Sequence, residues 1–142
     1  MGFLKTVELY EAARTAIRPP SNLSPPDWAA EFVRVQNSER SPFFDIDQTP
    51  WWRRPMEAAG DNEVRQIVVM APTGSGKSTM AEALIPWIVA EDPGPLLYAS
   101  QTDDDAKFWA ESRLLPTLRA CPQLKGLWPD DRHKSQIGRA HV

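Results

Sequence analysis

The chain has 142 residues, a length that fits one domain, and its 42% apolar and 25% charged residues are the balance of an ordinary soluble globular protein. A net charge of −3 argues against a globally basic nucleic-acid binder. The single cysteine, Cys121, excludes an intrachain disulfide and suits a reducing compartment, and no apolar run reaches bilayer length or has the form of a signal-peptide core.

MGFLKT at the start matches the short myristoylation pattern M-G-x-x-x-[ST]. The longer stretch FLKTVELYEAARTAI argues for a helix instead, with Phe3, Val7, Tyr10 and Ile17 along one face. RPPSNLSPPD follows, a stiff extended connection. Its end starts a second helix: Ser24 is a candidate cap, Pro25 suits the first helical position, and Asp27 completes S-x-x-D. Trp28, Phe32 and Val35 then share a face, and core packing is the expected role of Trp28. NSERSPFFDIDQTP, 37–50, reads as irregular. A short helix starting near Pro50 or Pro55 is expected to run through MEAA to a turn at Gly60-Asp61-Asn62.

VRQIVVM, Val64 to Met70, is β-branched and bounded by turn residues, so it reads as a buried parallel strand. The loop APTGSGKST, Ala71 to Thr79, follows, and a helix should start at Gly76 or Lys77 and turn Met80, Leu84 and Ile88 inward. Pro86 removes one backbone hydrogen bond and clashes with the Glu82 carbonyl, which predicts a kink or early end there. PGP, 93–95, is a turn, and LLYAS, Leu96 to Ser100, reads as a second strand. Thr102 with Asp105 forms another cap, with Asp103, Asp104 and Asp105 at the positive end of a helix dipole and Arg113 and Arg119 toward the other end. Three neighbouring aspartates do not face one point, so they read as helix-start chemistry and not as a metal site. Strand, glycine loop, helix, strand and helix in that order predict an α/β fold with a parallel sheet.

The loop matches the second half of G-x-x-x-x-G-K-[ST], with Ala71 at the position of the first glycine. The chemistry survives that change. Gly74 and Gly76 permit the backbone angles that turn several N–H groups toward an anion, and the helix start adds its own. Lys77 would supply charge to the β and γ phosphates and the Ser78 hydroxyl would ligate Mg²⁺. The candidate nucleotide-binding residues are therefore Thr73, Gly74, Ser75, Gly76, Lys77, Ser78 and Thr79, with ATP and Mg²⁺ as ligands. The form A-x-T-G-x-G-K-[ST] is similar to that of superfamily-2 helicases and of relatives that drive nucleic acid.

Three further stretches narrow the choice: WAAEFVRV at 28–35, TPWWRRPMEAAGDNEVRQIVVM at 49–70, and LLYASQTDDDAKFWAESRLLPTLRACPQL at 96–124. Their order around the loop resembles the GpA-type large subunit of tailed-phage terminase, from about Pro26 to Trp128. The Gln101-Thr102-Asp103 step differs from the P-T-R-E-L step of DEAD-box helicases.

The resemblance implies an ATP-driven motor that pumps DNA into a preformed capsid, fused to an endonuclease. Its partners would be double-stranded phage DNA, the terminase small subunit and the portal of the procapsid, in the bacterial host cytoplasm. The implied fold is an incomplete P-loop NTPase, a RecA-like parallel sheet with flanking helices, preceded by a helical N-terminal segment. Trp51, Trp52 and Arg53 stand where relatives carry an adenine-side motif, with stacking on the base or a packed aromatic pair both open. Gln101 and Thr102 are left as nucleotide sensors or DNA contacts. Some terminases carry an arginine within the loop; residues 72–75 here are Pro, Thr, Gly and Ser.

The expected organisation is a helical, proline-rich segment over 1–48, the N-terminal part of an ATPase domain over 49–135, and an appended tail over 136–142. IGRAHV, 137–142, is what ATC GGA AGA GCA CAC GTC encodes, the continuation of a common sequencing adapter whose first two bases would complete a Gln codon at 136. Different codons at 137–142 would refute adapter read-through. No apolar run ending in D-E follows Ser100, so a carboxylate that helps hold Mg²⁺ and one that orients water are not recognised, and neither is a nuclease carboxylate cluster. The expectation is a chain of poor stability, with exposed apolar surface, that hydrolyses ATP negligibly. The competing readings are a fragment of a superfamily-2 helicase and a small non-catalytic nucleotide-binding module.

Overall fold

The computed structural model describes residues 21–35 and 43–125. The expected helix over 3–17 and the tail over 136–142 lie outside the described residues. Five α-helices are present among the described residues: α1 (Pro25–Phe32), α2 (Arg53–Ala59), α3 (Lys77–Glu91), α4 (Asp103–Trp109) and α5 (Leu115–Ala120). Short 3₁₀ turns at Ile46–Gln48, Pro50–Trp52 and Pro122–Leu124 punctuate them.

Helix α1 begins where its proline predicts, with Ser24 extended at the cap (φ −62°, ψ 153°). The cap itself works differently from expectation. The Ser24 hydroxyl donates to the Asp27 carboxylate instead of accepting from the backbone, and Asp27 also receives Arg53 Nη1 of α2 at 3.0 Å. Trp28 and Ala29 are fully buried, and the Trp28 indole donates to Glu91 Oε1 at the far end of α3, at 2.7 Å. One residue thus fills the core and ties two helices together. Beyond α1 the chain extends through Val33 and Val35, both buried, with a single antiparallel bridge between Arg34 and Phe43.

The Pro50–Trp52 turn leads into α2, which ends at Gly60 as the sequence predicts. Glycine is required there by close approach: a Cβ would stand 2.8 Å from Cγ of Pro25 at the head of α1. Trp28, Trp52 and Met56 with Ala83, Ile85 and Trp87 of α3 make the centre of the core, which Leu118, Cys121 and Leu124 extend.

Helix α3 starts at Lys77 but does not end early at Pro86; it runs through to Glu91. Pro86 and Trp87 are both buried, so packing on either side holds the chain helical across the missing N–H. The inward face is broader than expected. Met80, Leu84 and Ile88 do pack against the core, partly buried, while Glu82, Ala83, Ile85, Pro86 and Trp87 are covered more completely. From Asp103 the chain stays helical to Ala120, but the turn Ala110–Leu114 is π-type. Pro116 has no N–H to offer the Ser112 carbonyl, and the ladder widens in the turn before it.

The predicted parallel sheet, and with it the incomplete P-loop, RecA-like α/β class, is not seen: the described residues contain no strand or sheet. VRQIVVM and LLYAS have no ladder partner, and several of their apolar side chains face solvent, with Val68 75%, Met70 95% and Leu97 93% exposed, while Val69 packs against the core and Tyr98 against Trp109. The physical reason is that a helix satisfies its own backbone, whereas a strand needs a neighbour for its N–H and C=O groups. No strand pairs with either segment among the described residues.

Candidate functional site

The site is built where the extended segment ending at Met70 turns into α3. Gly74 and Gly76 both take left-handed backbone angles, φ 81° and 85°, and no other described residue has a positive φ. A side chain at either position would be strained, so the sequence can make this turn only with glycine. Gly76 is the cap of α3, and its carbonyl accepts from Met80 N at 2.8 Å, closing the first helical turn. By helix geometry the N–H groups of Lys77, Ser78 and Thr79 have no partner four residues back within the helix.

Lys77 folds back across the loop. Its Nζ donates to the carbonyls of Ala71 at 2.8 Å and Pro72 at 2.6 Å. The ammonium is thereby held over the loop instead of ranging through solvent. Ser78 is exposed and Thr79 half-buried. The Ser75 hydroxyl is shielded from solvent yet has no hydrogen-bond partner, while the Ser75 carbonyl accepts from two indoles, Trp52 Nε1 at 2.7 Å and Trp51 Nε1 at 3.2 Å. Sequence reasoning did not find this contact; the signal available was a Trp pair placed just ahead of α2.

The remaining candidates are dispersed. Arg53 is engaged away from the loop, with Asp27 at 3.0 Å and Glu57 at 4.0 Å. The Ser24 hydroxyl and the Arg53 guanidinium hold the Asp27 carboxyl below its usual range. Thr102 caps α4: its hydroxyl accepts from Asp105 N at 3.1 Å and donates to Asp105 Oδ2 at 2.7 Å, so Asp103, Asp104 and Asp105 occupy the first helical turn. No hydrogen bond or ion pair among the described residues joins Gln101 or Thr102 to the loop.

One feature of α3 was not foreseen. Glu82, two helical positions beyond Met80, is 1% exposed and meets Arg113 Nε of the π turn at 2.8 Å, an ion contact without an aligned hydrogen bond. Burial pushes the Glu82 carboxyl up, opposed by the Arg113 guanidinium and the Trp109 indole N–H. A carboxylate on the second turn of α3 is thus tied to the helical segment that follows Thr102.

A glycine turn at a helix head, with a lysine beside it and backbone N–H groups free, can chemically hold an anion. A family model described as the phage terminase large subunit gpA, ATPase domain, matches residues 38–140. The chain belongs to that family, and an ATPase domain implies use of a nucleotide. Neither the curated proteins nor the solved structures give a significant match. No helix among the described residues is long and apolar enough to cross a membrane.

Proposed function

We propose that Thr73 to Thr79 bind the phosphates of Mg·ATP, as the nucleotide-binding part of a terminase large subunit that packages DNA. The observation that carries this reading is the pair of left-handed glycines at the head of α3, with Lys77 parked on the loop's own carbonyls. The residues fit the ligand. Thr73 to Gly76 offer backbone N–H groups, Lys77 offers a charge that exchanges two carbonyls for phosphate oxygens, and the exposed Ser78 hydroxyl is free to ligate Mg²⁺. When bound, the nucleotide supplies the phosphoanhydride bond and Mg²⁺ the charge neutralisation that such motors use.

In this reading the full protein also carries an endonuclease and works in the host cytoplasm on double-stranded phage DNA, with the small subunit and the portal. Family membership and the order of the flanking segments support it. No D-E run follows Ser100, so binding without steady hydrolysis is the expectation for this chain. Calorimetric titration of the 142-residue chain with Mg·ATP tests the site. Lys77→Ala should weaken binding by roughly tenfold or more, the worth of one charge-assisted hydrogen-bonding group. Binding indifferent to that substitution would sink the reading, and steady ATP turnover abolished by it would sink the expectation of inactivity.

A further inference from the structure

We infer that Trp52, assisted by Trp51, is the positioning residue of the phosphate loop: the two indole N–H groups hold the Ser75 carbonyl and so set the direction of the Gly76 N–H. The inference rests on the nucleotide-binding reading above and deepens it. Trp52 is 2% exposed, and its indole lies at 2.7 Å from the Ser75 oxygen. Its ring also bounds the glycine that follows. A Cβ on Gly76 would stand 3.4 Å from Trp52 Nε1 and 3.6 Å from Thr49 Cγ2. Trp51 reaches the same oxygen from the solvent side at 3.2 Å, with its ring 56% exposed.

The consequence follows from peptide geometry. No described peptide bond is cis, and in a trans peptide the C=O and N–H point in opposite directions. With the Ser75 oxygen fixed on the indoles, the Gly76 N–H is turned away from them. A loop flanked by two glycines has many other backbone states, because glycine restricts itself least. Holding one carbonyl with two donors removes the freedom of that peptide plane before any ligand arrives, and preorganisation of this kind raises affinity. The role of the tryptophans is therefore directed at the phosphate part of a ligand and needs no base.

That distinction supplies the test. The full chain is titrated with Mg·ATP and with Mg·tripolyphosphate, which has no base. Trp52→Phe keeps the ring and deletes the donor. It should weaken both ligands by the same factor, roughly tenfold, the cost of one half-buried acceptor losing its main partner. Trp51→Phe, at an exposed ring, should weaken both by roughly two- to threefold. Equal affinity of wild type and Trp52→Phe would overturn the inference, and so would a loss confined to Mg·ATP, which would make the rings a base platform. Circular dichroism establishes whether Trp52→Phe folds. If it does not, Trp51→Phe decides, and unchanged affinity for both ligands overturns the inference. Wild-type binding that depends on Lys77 but ignores the tryptophans removes this inference alone; wild type without Lys77-dependent binding removes both.

Discussion

The helical part of the molecule and its two extended segments differ sharply in how their apolar residues are used. In α1, α2 and α3 the large side chains Trp28, Met56 and Trp87 are buried and held by partners from other elements. In 64–70 and 96–100, by contrast, Val68, Met70 and Leu97 stand in solvent. The difference teaches that hydrophobic sequence alone does not bury a segment. A helix brings a finished backbone and needs only a surface to lie on, whereas an extended segment must find a partner for its backbone as well.

The largest expected effect lies at the centre of the buried half. Trp28→Ala should destabilise by about 3–5 kcal/mol through the cavity it leaves. It also strips Glu91 of its indole donor, which moves the effect toward the upper end. Urea unfolding followed by circular dichroism measures it. A loss below about 1 kcal/mol would mean that Trp28 packs no more tightly than the exposed segments do.

Next comes the ion contact between α3 and the π turn. Arg113→Met leaves Glu82 buried without its cation, a change that costs about 3–5 kcal/mol at fully buried pairs. Arg113 is partly exposed, so about 2–3 kcal/mol is expected after screening. The pH dependence has a definite sign. Burial raises the Glu82 carboxyl above its ordinary 4.5, so the native state favours the protonated form. The stabilisation is full below the unfolded value and is lost as pH rises through the folded one. Glu82's contribution to stability should therefore decline as pH rises from about 4.5, opposite in sign to that of Asp27, with Glu82→Gln removing that component and Arg113→Met steepening it. A slope unchanged in Glu82→Gln would assign it to another group.

These two cases also show what the sequence made legible. Helix starts at Pro25, Lys77 and Asp103 were readable because their signals are local: a proline at N1, a glycine turn, a Thr–Asp cap. The turn of the loop at Gly74 and Gly76 was readable for the same reason, since the spacing of its glycines is a property of consecutive residues. The end of α3 was not, because burial of Pro86 and Trp87 overrides the local break. The Glu82–Arg113 contact joins positions far apart in sequence, and nothing in either neighbourhood announces it. The Trp52–Ser75 bond escapes for another reason: its acceptor is a carbonyl, which every residue has. The strands were misread because VRQIVVM has the composition of a strand but lacks, among the described residues, a neighbour to make it one.

A smaller effect is expected at the boundary between the two regions. Thr102→Ala removes the acceptor of the Asp105 N–H at the start of α4, just after the exposed LLYAS segment. The cost of such a cap is about 1 kcal/mol. Thr102→Ser, which keeps the hydroxyl, should recover most of it. If both variants lose stability equally, the methyl group and not the cap is the stabilising part.

The smallest effects are expected in the extended segments themselves, and they bear most directly on the contrast. Met70→Ser and Leu97→Ser replace side chains that are 95% and 93% exposed, so unfolding stability should move by no more than about 0.5 kcal/mol in either direction. Amide hydrogen exchange gives the companion reading. Amides of 65–70 should exchange far faster than those in the middle of α3, because a backbone without a ladder partner has nothing to open. Two outcomes would break the comparison. A loss above about 1 kcal/mol at Leu97 would place that side chain in a contact, and strong protection across 65–70 would place a strand partner beside it. Because Tyr98 stacks on Trp109 at 4.1 Å while its neighbour Leu97 points to water, the segment already has one anchored residue. Tyr98→Ala should therefore cost more than Leu97→Ser, about 1 kcal/mol against nearly none, and that order measures how far packing can hold an extended chain that no ladder supports.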